Sequence, residues 1–184
     1  MKIIKTKSGY EILIDDDDYR LVSQYKWHVY KDRNIYYATS KSNGARIKMH
    51  RLILNAQPGE IVDHIDGNGL NNQKSNLRIC TVQENIRNMK AILGKSKYKG
   101  VSFKKNMKKW QANIGFNYKM LFIGYFQTQE QAAAAYDEVA RALFGDYANL
   151  NFTDKQREDI LSNMEIGKRE RILEKKARFI NLLV

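Results

Sequence analysis

The residues whose types could support chemistry are concentrated between positions 62 and 88. His64 follows Asp63 directly, and a stretch rich in side-chain amides leads to Asn85. An imidazole with an unperturbed pKa of about 6.5 can accept a proton near neutral pH. A carboxylate and an amide oxygen are suitable ligands for a hard divalent cation. A base beside a bound cation is a combination that metal-assisted hydrolysis uses, so this segment is the candidate catalytic site.

A histidine beside an aspartate, taken alone, more often belongs to an ordinary turn. The surrounding pattern argues against that alternative because it predicts a strand, a polar loop, a second strand over 77–81 and a helix. Thr81 and Glu84 have the spacing of a capping box, so the helix is expected to begin after Thr81. Asn85 and Asn88 are three residues apart and share one helix face. His64 ends the first strand, so strand and helix can converge on one small site.

This arrangement resembles the ββα-metal core of HNH endonucleases, in the branch where asparagine replaces the last histidine. His64, Asn76 and Asn85 occupy the three named positions, 12 and 9 residues apart, and the resemblance covers about residues 47–90. It implies cleavage of DNA with His64 as general base and Asn76 as the residue that orients its imidazole. Asp63 and Asn85 are then expected to hold one Mg²⁺ or Mn²⁺ ion.

Five further residues near this core are candidates with open alternatives. Asn88 is a possible second aid to the metal, Arg78 a possible phosphate contact, and Asp66 either a site residue or part of a turn with Gly67. His50 and Arg51 precede an apolar run, and similar pairs in the family suggest contact with the phosphate backbone. For His50, a structural role in packing is the favoured alternative.

The elements expected to position this site are mostly short strands within the first 53 residues. Asp15 to Asp18 should open a helical turn that runs to Tyr25. Four carboxylates in a row suggest a metal site, but acids at a helix N-terminus also meet the positive end of its dipole, and that simpler interpretation is preferred. The predicted strands are Tyr10 to Ile14, Trp27 to Tyr30, Ile35 to Ala38 and Ile47 to Leu54.

From Lys97 onward the sequence predicts three strands and a long helix. The first strand begins at 98–101, the second covers 110–116 and the third covers 119–126. The helix starts with the capping-box pair Thr128 and Gln131. Apolar side chains alternate with polar ones along 110–116, so one face of the sheet should be core. Every charged residue from 95 to 127 is a lysine. The face that the helix leaves uncovered is therefore expected to bind phosphate.

These residues resemble the AP2 domain, a three-stranded DNA-binding module of plant transcription factors. The resemblance covers about residues 97–152 and implies that the sheet enters the major groove of double-stranded DNA. Lysines stand where plant members commonly carry arginine, and lysine acts as a point charge, so phosphate contacts should outweigh base readout. The DNA contacts that the resemblance implies are Lys99, Gly100, Ser102, Lys104, Asn113 and Phe122. The residues that match are Tyr98 to Val101, Trp110, Ile123, Gly124, Phe126, Glu130, Ala132, Ala133, Ala135, Tyr136, Asp137, Gly145, Asn149, Asn151 and Phe152.

Composition limits the remaining classes. The chain has 184 residues, a formal net charge of +12 and one cysteine, which excludes an internal disulfide and a cysteine-based zinc ribbon, so no zinc is expected. No apolar run is long enough to cross a membrane, and the first seven residues lack a signal-peptide pattern, so a cytoplasmic protein is expected. No obligate protein partner is evident.

The sequence thus predicts an α+β protein with three parts. Residues 1–93 should form N-terminal strands and the nuclease core, 97–152 the AP2-like domain and 153–184 a tail of one or two helices whose function is open. The predicted activity is that of a metal-dependent, site-selective DNA endonuclease of the homing type found in phages. Two alternatives are a non-catalytic DNA-binding regulator that retains the HNH core as a relic, and a nuclease directed at RNA.

Overall fold

A computed structural model describes residues 1–42, 44–88 and 96–182. It is a mixed α+β protein with four small antiparallel sheets among these residues. The chain divides into two compact units, Met1–Asn88 and Met89–Val184. The predicted linker at 94–96 lies outside the described residues, apart from Ser96. In the described part of the chain, no helix has the length and apolar character needed to span a membrane.

The first unit contains three sheets and three short helices. Strands β1 and β2 form a hairpin, β3 to β5 form a three-stranded sheet, and β6 pairs with β7. The predicted single strand over 47–54 is wrong, because β5 ends at Lys48 and a helix follows. A short apolar run does not distinguish strand from helix. The bounds are β1 Lys2–Lys5, β2 Glu11–Ile14, α1 Tyr19–Val22, β3 His28–Asp32, β4 Ile35–Ser42, β5 Ala45–Lys48, α2 Met49–Ile53, β6 Ile61–His64, β7 Leu77–Cys80 and α3 Val82–Asn88.

A small apolar core holds these elements together. Along β2, Ile12 and Ile14 are fully buried while Glu11 is exposed, as the period-two pattern of a strand requires. The remaining buried members come from several elements distant in sequence: Val22, Trp27, Ala38, Met49, Ile53 and Leu77. The core is assembled from side chains far apart in the chain.

The loop between β6 and β7 is fixed against the N-terminal strands. The main chain of Leu13 in β2 donates to the carbonyl of Leu70 and accepts from the amide of Asn72, at 2.9 and 2.8 Å. Gly69 lies so close to β4 that an added Cβ would be 2.4 Å from the carbonyl oxygen of Tyr36. A side chain at this position would push the loop away from the strand.

The acidic run at 15–18 supports the same loop. Asp16–Asp18 forms a 3-10 turn that continues into α1, and α1 ends at Val22, three residues before the predicted end. Asp15 accepts hydrogen bonds from the side chain of Gln73 and the amide of Lys74. Asp18 forms a salt bridge of 2.7 Å with Lys74. These two carboxylates therefore tie the loop to the start of the chain.

The second unit has a three-stranded sheet, with β9 in the middle, covered on one face by a long helix. The bounds are β8 Val101–Lys104, β9 Lys109–Phe116, β10 Lys119–Phe126, α4 Gln129–Phe144, α5 Asp154–Ser162 and α6 Ile166–Ile180. The predicted cap of α4 is confirmed, since Thr128 Oγ1 accepts from the amide of Gln131. The last two helices pack on α4 and contribute Leu161, Ile172 and Phe179 to its core, and Met164, which lies between the two helices, joins them.

The alternation predicted for the middle strand is confirmed. Ala112, Ile114 and Phe116 are buried against α4, so the residues between them lie on the opposite side. The strand register extends this second side to both neighbours of β9. We call this side the open face. Its members are Ser102, Lys104, Lys109, Gln111, Asn113, Gly115, Met120, Phe122 and Tyr125.

Candidate active site and nucleic-acid interface

His64 is the last residue of β6 and lies among buried rings. The centre of its ring is 4.9 Å from that of His50 and 5.9 Å from that of Tyr37. The side chain is only 5% exposed, and this burial lowers the pKa of His64 below its usual 6.5. The imidazole is therefore neutral at neutral pH, which is the form that can accept a proton.

The polar partner of this imidazole is Asn72. Its Oδ1 lies 3.5 Å from Nε2 of His64, a long contact within a buried pair. An amide oxygen can only accept, so the contact is a hydrogen bond in the tautomer that carries the proton on Nε2 and the lone pair on Nδ1. Asn72 is fully buried, and its main chain is bound to Leu13. The imidazole is thus oriented from the β2 side of the unit.

Asn76, the predicted orienter, has other partners. Its Oδ1 accepts from the amide of Asp66 at 3.0 Å, and its Nδ2 donates to the Asp66 carboxylate at 2.9 Å and to the Asn71 carbonyl at 2.8 Å. The amide closes the loop on itself. The contact predicted between Asn76 and His64 is made by Asn72, and the side-chain hydrogen bonds of Asn76 lie within the loop.

Asp66 and Gly67 form the turn at the end of β6. The Asp66 carboxylate accepts from the amide of Asn68 at 2.7 Å and from the side chain of Asn71 at 2.8 Å. Gly67 has a φ of +70°, a backbone conformation that favours glycine. Both residues serve the local geometry of the loop.

Asp63 lies directly opposite Arg78 in the β6–β7 pair. Its Oδ2 accepts from Nε and Nη2 of Arg78, at 3.1 and 2.9 Å. Nδ2 of Asn88 contacts both carboxylate oxygens and also the carbonyls of His64 and Ile65. Asn88 therefore joins α3 to the end of β6, and Arg78 supplies the counter-charge of a carboxylate that is 7% exposed.

Asn85 lies in the first turns of α3, one turn before Asn88. It is half-buried, and within the described residues its side-chain amide has no hydrogen-bond partner. Thr81 and Glu84 cap this helix as predicted: the Thr81 amide donates to the Glu84 carboxylate at 2.7 Å, and the Glu84 amide donates to Thr81 Oγ1 at 3.2 Å. The amide oxygen of Asn85 is available to a ligand.

The carboxylate of Asp63 and the side-chain amide of Asn85 provide the type of oxygen donor that hard divalent cations bind. A carboxylate has about four lone-pair positions, and Oδ1 of Asp63 accepts from Nδ2 of Asn88. Across the described ranges, no three His, Cys, Asp or Glu side chains group together to hold an ion. A cation at Asp63 and Asn85 would therefore complete its shell with phosphate and water oxygens, as Mg²⁺ commonly does.

The predicted phosphate contacts near this core are engaged within the protein. Arg51 donates to the carbonyls of Ala56, Gln57 and Glu60 and so holds the turn before β6. Arg78 is paired with Asp63 as described above. His50 is 4% exposed, and burial lowers its pKa to about 3. It packs against His64, in agreement with the packing alternative.

Two residues of the site were not assigned a role by sequence reasoning. Asn72 belongs to the amide-rich run, but its residue type does not distinguish it from Asn71 or Asn76. Tyr37 lies in β4, far from the catalytic segment in sequence, and no local pattern marks it. Only the packing of β4 against the loop reveals that these residues surround His64.

In the second unit, the strand register places four of the six predicted DNA contacts on the open face: Ser102, Lys104, Asn113 and Phe122. The other two lie just before β8. The amide of Lys99 donates to Asn151 Oδ1 at 2.7 Å, and burial lowers the pKa of the Lys99 side chain to about 8. Gly100 lies against the ring of Tyr136.

Both parts of the chain are similar to known proteins. A family model described as HNH endonuclease matches residues 48–87. An uncharacterized HNH endonuclease, L560 of Acanthamoeba polyphaga mimivirus, is 36% identical over 144 residues, which are 75% of this chain and 73% of the viral protein.

Plant proteins match a shorter part of the chain. The ethylene-responsive transcription factor WRI1 of Arabidopsis thaliana is 46% identical over 61 residues, which are 32% of this chain and 14% of WRI1. The ethylene-responsive transcription factor ERF024 of the same plant is 46% identical over 57 residues, 31% of its length. The chain therefore spans less than a third of each of these plant relatives.

Proposed function

This chain belongs to the HNH endonuclease family, and we propose that it is a site-selective, homing-type endonuclease that hydrolyses phosphodiester bonds in double-stranded DNA. Membership in this family implies a DNA nuclease. The observation that supports the proposal most directly is the placement of His64: a neutral, oriented imidazole at the end of β6, next in sequence to a buried carboxylate.

His64 is the proposed general base. Its burial favours the neutral form, and Asn72 holds the proton on Nε2, so Nδ1 can take a proton from the attacking water. Such a base contributes about 10²- to 10⁴-fold to a rate. Asn76 fixes the loop that carries Asn72, so its contribution is positional.

Asp63 and Asn85 are the proposed ligands of one Mg²⁺ or Mn²⁺ ion. HNH nucleases generally use a divalent metal, and when bound here it would supply positive charge for the leaving oxygen. Arg78 and Asn88 hold the Asp63 carboxylate in place.

The open face is the proposed DNA-binding surface, within an AP2-like domain at 97–152. It combines the lysines Lys104 and Lys109 with the aromatic Phe122. The lysines would bind phosphates, whereas Asn113 is polar and could hydrogen-bond to base edges. Site selectivity would therefore come from this unit and cleavage from residues 1–93.

A non-catalytic regulator is the second candidate. The observation that favours it is the ion pair of Asp63 with Arg78, which gives the carboxylate a structural use without any metal. In that case the HNH core would serve only as a scaffold.

A cleavage assay separates these functions. Supercoiled plasmid would be incubated with Mg²⁺ or Mn²⁺, or with EDTA, using the unmodified protein, His64→Ala and His28→Ala. His28 is an exposed histidine of β3 and is the matched control. We expect nicking or linearisation by the unmodified protein and by His28→Ala with metal only, and a loss of about 10²- to 10⁴-fold for His64→Ala.

Equal cleavage by His64→Ala would eliminate the proposed base. Binding of duplex DNA without cleavage in any metal would favour the regulator. A labelled RNA in the same reactions tests whether the substrate is DNA or RNA. Preferential cleavage of the RNA would overturn the assignment of DNA as the substrate.

A further inference from the structure

We infer that α6 carries a second phosphate-binding surface, which extends the open face along the backbone of the same duplex. This inference rests on the proposed function of the open face. Its basis is a stripe of cations at helical spacing, formed by Lys168, Arg171, Lys175 and Arg178. With about 100° between successive residues, these four side chains fall within a sector of about 80°. We call this sector the basic stripe.

The basic stripe borders the open face. Nζ of Lys175 donates to the carbonyl of Phe122 at 3.2 Å and lies 5.3 Å from the centre of its ring. Phe122 is 38% exposed and belongs to the open face. An ammonium group has three donors, so two remain for another acceptor. The stripe and the open face are therefore continuous at the β10 edge of the sheet.

The two arginines of the stripe are available, whereas Lys168 forms a salt bridge of 3.9 Å with Glu165 and Lys175 donates to Phe122. Arg171 and Arg178 are exposed and take part in no ion pair within the described residues. On the other flank, Lys176 binds Glu138 at 2.5 Å, and Arg157 of α5 binds the same carboxylate at 3.2 Å. On that flank Lys176 is neutralised by Glu138, whereas the two arginines on the side that borders the open face keep their charge.

The length of the stripe suits a DNA backbone. Arg171 and Arg178 are seven residues apart, which is about 10 Å along a helix with a rise of 1.5 Å per residue. Phosphates of one strand are spaced about 3.4 Å along the duplex axis, so this distance covers about three phosphate steps. Because phosphates carry no sequence information, the stripe should add affinity for any sequence.

The stripe also accounts for a helix that lies outside the AP2-like segment. Ile172 and Phe179 bury one side of α6 against the core of the second unit. That packing fixes the helix next to the sheet and determines which way the arginines point. Packing alone would not require unpaired arginines on the flank nearest Phe122.

The test is duplex binding in EDTA, measured by fluorescence anisotropy between about 50 and 200 mM salt. The test variant is Arg171→Gln with Arg178→Gln. The matched control is Lys155→Gln with Arg169→Gln, which removes the same charge from exposed positions; Arg169 is half a helical turn away from Arg178. Thermal unfolding midpoints should be unchanged in both, since all four side chains are exposed.

We expect the test variant to bind duplex DNA about tenfold more weakly, with the salt slope reduced by about 2 and no dependence on DNA sequence. The control should bind like the unmodified protein.

A third variant, Lys104→Gln with Lys109→Gln, tests whether the open face binds DNA. If it weakens binding and the α6 variant does not, only the role of α6 is overturned. If neither variant weakens binding, the proposed DNA-binding role of the open face is overturned as well. If the α6 variant and its control lose the same affinity for duplex DNA, the effect depends only on net charge, and the proposed role of the basic stripe is overturned.

Discussion

The loop of the candidate active site and the sheet of the second unit are held in place by different interactions. The loop depends on side-chain hydrogen bonds, such as those of Asn76 to Asp66 and of Asn88 to Asp63. The sheet depends on apolar packing, with the buried alanines of α4 against Ile114 and Phe116. A polar network loses stability when one donor is removed, whereas a close-packed layer loses stability when volume is added.

The largest expected effect comes from added volume in the second unit. Gly100 has a φ of +75°, and an added Cβ would lie 2.0 Å from the buried ring of Tyr136. Gly100→Val should therefore lower the free energy of unfolding by more than about 3 kcal/mol, since backbone strain and overpacking add. Urea unfolding followed by the fluorescence of Trp110 measures it.

Gly115→Val is the matched control, because nothing lies within 4 Å of an added Cβ there. It should change the free energy of unfolding by less than about 0.5 kcal/mol. If Gly100→Val leaves the free energy of unfolding unchanged, the second unit is not as closely packed as described here.

Removing a donor from the first unit should have the next largest effect. Asn88→Ala leaves the Asp63 carboxylate and the carbonyls of His64 and Ile65 without this donor. We expect a loss of about 2 to 3 kcal/mol in unfolding free energy, reported by Trp27, because buried acceptors lose their partner. Asn68→Ala, on an exposed part of the loop, should cost less than about 1 kcal/mol. Similar losses for both would mean that burial does not determine the strength of this network.

Per pH unit, the smallest expected effect is a difference in the pH dependence of stability between the two units. Burial lowers the pKa of His50 to about 3, so the folded first unit binds fewer protons than the unfolded chain between pH 6.5 and 3. Its stability should fall on acidification through this range. Burial raises the pKa of Asp137 to about 6, so the folded second unit holds a proton between pH 6 and 3.8. The stability that protonated Asp137 contributes to the second unit is therefore lost as the pH rises through 6 and regained on acidification.

Single-tryptophan variants separate the two responses, since Trp27 belongs to the first unit and Trp110 to the second. Between pH 6 and about 4 the two slopes should have opposite signs, each at most about 1.4 kcal/mol per pH unit. Asp137→Asn should flatten the slope reported by Trp110. Slopes of equal sign and size would remove the distinction.

Local patterns predicted the parts of the fold that depend on near neighbours. The β6–β7–α3 order, the Thr81 cap and the two faces of β9 all follow from spacing within a few residues. The helix over Met49–Ile53 did not, because its apolar residues fit either period. Element type is easier to predict where capping or alternation is regular.

The hydrogen bonds of the candidate site could not be predicted from the sequence. Three asparagines of the loop share the same chemistry, and their sequence positions do not show that Asn72 rather than Asn76 reaches His64. Tyr37 enters through the long-range packing of β4, which a single sequence does not encode locally. Contacts between distant segments require the folded chain.

The attachment of the loop to β2 and β4 determines how small a transferable nuclease module could be. The segment that matches the family spans residues 48–87, yet the loop within it is bonded to Leu13 and Asp15 and packs on Tyr36 through Gly69. A graft restricted to the matched segment would leave these partners behind. The portable module for engineering is therefore the whole first unit, Met1–Asn88.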